Sequence, residues 1–112
     1  MHPADHARTS ARIWGGEPDE YLAIHQFFDD TKRLLCDFRH RALRHHAQGI
    51  FEAERVLGVS FVNSVGRLVH TRYVGEQHVK EDCGGRIPDA ADWLRAIVPA
   101  PWMSKGYPIH PE

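Results

Sequence analysis

The sequence lacks the features that mark a secreted, a membrane-spanning or a zinc-finger protein. Its 112 residues contain only two cysteines, Cys36 and Cys83, and their separation fits no zinc-binding pattern. No run approaches the roughly 18 apolar residues that a membrane helix needs, and residues 1–10 lack the apolar core of a signal peptide. We therefore expect a cytoplasmic protein with reduced thiols and no membrane partner.

An excess of charge of one sign is also missing. The formal net charge is -1, whereas a general nucleic-acid binder is usually strongly basic. The glycine pairs at 15–16 and 84–85 fit no phosphate-binding loop. Nucleic acid is therefore disfavoured as a partner, although residues 32–44 form a local basic segment that contains a single acid, Asp37.

Histidine is the residue type in excess, with nine in the chain. Three of them, with three arginines, occupy residues 37–46, DFRHRALRHH. The strong metal-site signatures, such as HExxH, HxH or paired CxxC, do not occur. The composition therefore favours a histidine-rich metal-binding protein, and no single motif specifies the ligands.

Apolar periodicity predicts an α+β fold, mainly α, in one domain over residues 1–112. Three N-terminal helices, a β-hairpin and a C-terminal helix surround one core, and the proline-rich tail at 99–112 is irregular. The predicted elements are helix 3–14, a helix from 17 to about 35, helix 38–57, strands 59–63 and 67–74, and helix 87–98. The second helix either breaks near Cys36 or continues into the third. The core should contain Trp14, Tyr21, Ile24, Phe28, Leu35, Phe38, Ala42, Ile50, Phe61, Val69, Trp93, Leu94 and Ile97.

On a continuous helix 38–57, His46 lies at the centre of the buried face, His45 at its edge and His40 on the opposite side. A buried imidazole must satisfy two ring nitrogens. A metal ion would satisfy one of them, and so would a backbone carbonyl or a polar side chain.

Two further segments offer ligands for the same ion. His25 borders the buried stripe of the second helix, one turn before Asp29, which could orient it. Glu76 and His78 are two residues apart, so on an extended segment both project to one side. The predicted metal ligands are His25, His45, His46, His78 and Glu76, and Glu76 is the catalytic candidate. Such ligands suit zinc first, with iron, manganese and nickel as alternatives.

Other functions remain open at this stage. Arg39, Arg41 and Arg44 could instead bind an anion or nucleic acid by charge and bidentate geometry. A third hypothesis is that the protein is an adaptor or inhibitor with structural histidines, because buried polar groups are usually just hydrogen-bonded. If the protein instead binds a metal, it could be a small metal-dependent hydrolase. Neither a partner nor an oligomeric state follows from the residues.

Several segments carry a resemblance to a known family. They are WGGEPDEYLAIHQFFDDTK, DFRHRALRHHAQGIF, GEQHVKED and RIPDAADWLRAI, followed by PAPWM. They resemble a family of small uncharacterised proteins found in bacterial and phage genomes, over nearly the whole chain. The resemblance implies a compact stand-alone protein and supplies no catalytic residues. A phage setting would be compatible with a role in defence or counter-defence.

Overall fold

Helices dominate the part of the chain that the computed structural model describes, residues 1–108. The α-helices are α1 (Pro3–Trp14), α2 (Leu22–Asp29), α3 (Arg41–Arg44), α4 (Ala47–Leu57), α5 (Thr71–Asp82) and α6 (Ala90–Leu94). Short 3-10 turns cover Pro18–Tyr21, Asp30–Arg33, Phe38–His40 and Pro101–Ser104. The strands β1 (Ser60–Val62) and β2 (Leu68–His70) form one antiparallel hairpin. The predicted class, α+β and mainly α, is confirmed.

The first helix has the predicted bounds because its ends carry clear signals. Pro3 occupies the first turn, where a missing N–H costs nothing, and His2 caps the helix by accepting the Ala4 N–H at its Nδ1. Gly15 ends the helix at a φ of 87°, a conformation that favours glycine. The helix buries His6, Ala7 and Ser10.

The predicted third helix is not continuous. It is split at His45 and His46, where His46 takes an extended conformation and caps α4. At this break the chain folds back so tightly that a Cβ added to Gly49 would lie 1.8 Å from the Arg44 carbonyl oxygen. Only glycine fits there. His46 is buried, as the helical wheel through 38–57 predicts. The wheel is wrong for His40, which it puts opposite the buried face and which is only 3% exposed.

Two predicted core residues lie between α2 and α3 and are exposed. The second helix ends before Cys36, which agrees with the break that was one of the two predictions. Leu35 is 40% exposed and Phe38 is 68% exposed, so neither belongs to the core. Both were assigned to the core from helical spacing across a segment that is not one helix.

The hairpin is shorter than predicted, because residues 71–74 belong to α5. Phe61 pairs with Val69 across the hairpin. The buried positions of α5 are Thr71, Val74, Gly75, His78 and Val79. Because this buried stripe contains a histidine, a glycine and a threonine, its helical period cannot be recognised from apolar spacing. At Gly75 an added Cβ would lie 3.2 Å from the Phe28 ring, so glycine allows α5 and α2 to pack closely.

The C-terminal helix is also shorter than the predicted 87–98. Asp89 caps α6 by accepting the Ala91 N–H, but the helix ends at Leu94. Leu94 and Ile97 are 62% and 50% exposed and are not core residues. The predicted tail contains one 3-10 turn, and residues 109–112 lie outside the described part.

The interior between α1, α2, α4 and α5 contains apolar and polar side chains together. The buried apolar residues are Ala7, Tyr21, Ile24, Phe28, Ile50, Ala53, Val69, Val74 and Val79. Six histidines are buried with them: His6, His25, His40, His45, His46 and His78. Six of the nine histidines are therefore core residues, so most of the histidine excess lies in the interior. No helix within residues 1–108 has the length and apolar character needed to cross a membrane.

Candidate metal centre

The candidate site is a cluster of imidazoles around two carboxylates, Asp29 and Asp82. Asp29 is the last residue of α2, and Asp82 is the last residue of α5. Their side chains are only 6% and 2% exposed. The histidines are His6 from α1, His45 at the break between α3 and α4, and His78 from α5, one turn before Asp82.

The Nε2 atoms of these three histidines all face the carboxylates. His78 Nε2 lies 3.3 Å from Asp29 Oδ1 and 3.2 Å from Asp82 Oδ2. His45 Nε2 lies 3.0 Å from Asp82 Oδ2 and 3.7 Å from Asp29 Oδ1. His6 Nε2 lies 3.3 Å from Asp82 Oδ1. All three imidazoles are 0% exposed.

These separations match those expected between ligands of one ion. With bonds of about 2.1 Å, neighbouring ligand atoms are about 3.0 Å apart in an octahedral site and about 3.4 Å apart in a tetrahedral one. His6, Asp29, His78 and Asp82 each offer one ligand atom, all within 4.8 Å of one another. A second set with the same property, His6, His25 and His78, overlaps it. The buried histidines and aspartates could therefore hold a metal ion.

A chain of hydrogen bonds holds the outer sides of His6 and His78. His78 Nδ1 lies 2.9 Å from His25 Nδ1, and His25 Nε2 lies 2.7 Å from Ser10 Oγ. The Ser10 hydroxyl donates to Gln77 Oε1 at 2.5 Å. Gln77 Nε2 in turn donates to Glu81 Oε1, 2.7 Å away.

The chain ends at His6, whose Nδ1 lies 2.8 Å from Glu81 Oε1. Gln77 Nε2 also donates to the His6 carbonyl oxygen. Because both of its partners only accept, the Gln77 amide can take one orientation alone. The chain therefore links the outer nitrogens of two candidate ligands through Gln77.

This chain determines where the ring protons lie, since each tautomer follows from the hydrogen-bond partners. Both oxygens that Ser10 can donate to, Gln77 Oε1 and the His6 carbonyl, are acceptors. Ser10 must therefore accept from His25 Nε2–H, which leaves His25 Nδ1 to accept from His78 Nδ1–H. At the other end, His6 donates its Nδ1–H to Glu81. In their neutral forms His6 and His78 thus both present a bare Nε2 to the carboxylates.

Burial and charge shift the pKa values of the cluster in different directions. Burial, with the nearby His78, lowers the pKa of His25 to about 2. Burial also lowers the pKa of His45, against the opposing effect of Asp82. For His6, burial is outweighed by the carboxylates of Asp82 and Glu81, and its pKa is raised. Burial would raise the pKa of Asp82, but the surrounding imidazoles of His45, His6 and His78 outweigh it and lower that pKa.

The cluster contains three of the predicted ligands: His25, His45 and His78. His46 is elsewhere, because its Nδ1 accepts the Gly49 N–H and its Nε2 contacts the Ala42 carbonyl oxygen. Neither set of converging ligand atoms within residues 1–108 includes Glu76. The reason is that residues 71–82 form a helix, on which positions two apart project to different sides.

The three arginines of the alternative anion site are engaged separately. Arg39 forms an ion pair with Asp37 at 2.7 Å. Arg41 Nη1 donates to the Asp82 carbonyl oxygen. Arg44 Nη1 donates to the Phe27 carbonyl oxygen, and its guanidinium group lies 4.1 Å from the Phe27 ring centre. Each of the three guanidinium groups therefore has a partner of its own.

Sequence reasoning missed His6 and Asp82 as candidate ligands. His6 lies in a short amphipathic helix, and Asp82 lies in a charged run, GEQHVKED, that is also typical of an exposed segment. The spacing of His78 and Asp82, one helical turn, was the one signal available. This spacing indicates a shared site only once residues 71–82 are known to be helical.

The family of the chain is established by one comparison. A family model described as a domain of unknown function (DUF6915) matches residues 1–103. The chain belongs to this family. Membership in DUF6915 agrees with the resemblance to an uncharacterised family, but it assigns neither an activity nor a biological source. No curated protein and no solved structure matches the chain.

Proposed function

We propose that the protein binds one divalent transition-metal ion through His6, His78, Asp29 and Asp82, and that His45 holds the Asp82 carboxylate. The observation that carries this proposal is the approach of the Nε2 atoms of His6 and His78 to the two carboxylates, at 3.2–3.3 Å. In the neutral tautomers assigned above, both nitrogens would direct lone pairs at those carboxylates. Lone pairs on nitrogen and oxygen repel one another at about 3 Å unless a proton or a cation lies between them. A divalent ion would balance the two aspartate charges and accept all the converging lone pairs.

The outer hydrogen bonds also fit a metal site. Ligating histidines usually donate their second N–H to a carboxylate, a carbonyl or another acceptor, which fixes the ring and raises its basicity. Here Glu81 accepts from His6 and His25 accepts from His78. His25 therefore acts as a positioning residue for His78, and not as a ligand of the same ion.

The donor set suits zinc first, and iron, manganese or nickel as well, because all four accept imidazole and carboxylate ligands. Hydrolysis is the reaction class we propose, since such an ion lowers the pKa of a coordinated water and polarises a carbonyl or phosphoryl group. The protein's own residues would hold the ion, fix the ring tautomers and exclude bulk water from the cluster. Their burial supports this role.

Elemental analysis of protein purified without an affinity tag tests the proposal. We expect one metal ion per chain in the wild type, and a loss of most of that metal in His78→Ala and Asp82→Asn. His70→Ala is the matched control, because His70 is an exposed histidine on β2. If His78→Ala and Asp82→Asn retain the metal, the ion lies elsewhere, and if the wild type takes up none of the four metals, the proposal fails.

The hydrolytic part has its own test. Protein loaded with each metal in turn should cleave a chromogenic carboxylic ester or phosphodiester, and the chelated protein should not. A metal-replete protein without activity on either class would reduce the proposal to metal binding alone.

A further inference from the structure

The C-terminal arm, residues 94–107, stands apart from the rest of the protein. Its hydrogen bonds are local: the Ile97 N–H donates to the Leu94 carbonyl oxygen, and the Tyr107 N–H donates to the Ser104 carbonyl oxygen. In the described part of the chain, no hydrogen bond or ion pair joins the arm to residues 1–89. The radius of gyration is 16.4 Å, whereas a compact chain of this length has about 13 Å. The arm therefore extends from the body and can reach a second molecule.

The surface of the arm is mainly apolar. Val98 is 86% exposed, Tyr107 is 78% exposed and Trp102 is 75% exposed. Three further large apolar side chains are exposed on the arm: Leu94, Ile97 and Met103. Monomeric soluble proteins rarely expose contiguous apolar patches larger than a few hundred Å². A surface of this kind therefore calls for a partner that covers it.

Charge is scarce on the arm. Its only charged residues are Arg95 and Lys105, and Arg95 forms an ion pair with Asp92 at 2.9 Å. The core of a protein–protein interface is enriched in aromatic residues and methionine and depleted in charged residues. The composition of the arm therefore favours another protein surface over a nucleic acid, which would need a row of cations.

The exposed area is large enough for a stable interface. An aromatic side chain covers about 150–250 Å², so the six exposed apolar side chains of the arm together present roughly 750 Å². A standard interface takes about 800 Å² from each partner. One arm packed on a second arm therefore supplies nearly the whole area that a specific dimer needs.

The arm also contains both halves of a self-complementary surface. A depression of about 520 Å³ lies in it, lined by Leu94, Ile97, Pro99, Trp102, Met103 and Ser104. Val98 and Tyr107, the two most exposed of its large apolar residues, are outside that lining. In an interface with two-fold symmetry, each copy offers the same patch to the other. The protruding side chains of one arm can therefore enter the depression of the other.

We propose that the arm is a dimerisation surface, on which the arm of a second copy of the same chain packs about a two-fold axis. Trp102 is the central anchor, because it lines the depression and is itself largely exposed. The inference is independent of the metal centre, since none of the residues of the cluster belongs to the arm.

Sedimentation equilibrium of the untagged full chain tests the inference. As the protein concentration rises, the wild type should shift reversibly from the mass of one chain to the mass of two. Trp102→Ser and Val98→Asp should each raise the dimer dissociation constant about tenfold or more, because an aromatic anchor carries much of the binding energy and a charge in an apolar interface is costly. Both side chains are exposed in the single chain, so the circular dichroism spectrum of the monomer should not change.

Phe51→Ser is the matched control, because Phe51 is an exposed aromatic residue on α4, outside the arm. It should dimerise as the wild type does. A wild type that stays monomeric at every concentration overturns the inference, and so does a Trp102→Ser variant that dimerises with unchanged strength. Loss of the dimer in Phe51→Ser would place the interface on the body of the protein. Assembly beyond two chains would also contradict the inference, since a two-fold interface closes at the dimer.

Discussion

His6 Nε2 and Asp82 Oδ1 lie 3.3 Å apart in the protein interior, and no hydrogen bond joins them. Glu81 accepts the Nδ1 proton of His6, so a neutral His6 directs a lone pair at the Asp82 carboxylate. A second proton on His6 would remove the conflict, and so would a metal ion. The carboxylates of Asp82 and Glu81 outweigh burial and raise the pKa of His6, which favours the proton when no metal is bound.

Metal uptake should therefore release protons. A group with a raised pKa stabilises the metal-free fold fully below pH 6.5, and this contribution is lost as the pH rises through the folded pKa. Zinc competes with that proton, so its affinity should fall as the pH falls. Calorimetry in two buffers of different ionisation enthalpy measures the release. Glu81→Gln removes one carboxylate and should reduce it, whereas Glu76→Gln should not. An equal effect of Glu76→Gln would place Glu76 in the site.

Metal removal should lower the thermal stability. The ion binds only the folded chain, and a ligand at 100 times its dissociation constant adds about 2.7 kcal/mol to the free energy of unfolding. A chelator should therefore lower the melting temperature by on the order of 10 °C. Asp82→Asn should melt at the same temperature with and without the chelator. Retained sensitivity in that variant would contradict the assigned ligands.

Two adjacent histidines should respond differently to substitution. His45 faces the carboxylates, so His45→Ala should lower the metal content. His46 caps α4 through the Gly49 N–H, and losing a cap costs about 1 kcal/mol. His46→Ala should therefore lower stability but retain the metal, and His46→Asn should restore the cap. Denaturant unfolding measures the loss of stability, and elemental analysis measures the metal content. Loss of metal in His46→Asn would contradict the capping role of His46.

The metal-free protein should lose stability in mild acid, partly through His25. Its pKa is about 2 in the fold and near 6.5 in the unfolded chain. Below pH 6.5 the unfolded state therefore binds more protons, and His25 contributes a loss of up to about 1.4 kcal/mol per pH unit. His25→Gln should flatten the stability profile below pH 6.5, with His70→Gln as the exposed control. A slope that His25→Gln leaves unchanged would refute the assignment.

The corrected core can be tested with two phenylalanines. Phe28 is fully buried and stacks on His78, with the ring centres 5.0 Å apart. Phe28→Ala should cost about 3–5 kcal/mol. Phe38 is 68% exposed, and Phe38→Ala should change stability by less than about 0.5 kcal/mol. Denaturant unfolding measures both, and a large loss from Phe38→Ala would show that the segment packs against something else.

The sequence by itself determined the class of fold and predicted a histidine-rich candidate site. Local signals such as Pro3 and Gly15 define the ends of α1 without help from the rest of the chain. The histidine excess indicated a metal site, and spacing identified His25 and His78 as candidates. Composition and periodicity are local properties, so they can be read directly.

Only the tertiary structure decided which side chains meet. His6 lies 75 residues from Glu81, and no local pattern relates them. The choice of His45 over His46 depends on the close approach of Arg44 and Gly49, which breaks the helix and turns one ring inward and the other onto the backbone. A ligand set is a relationship among distant segments, and packing alone brings those segments within a few ångströms.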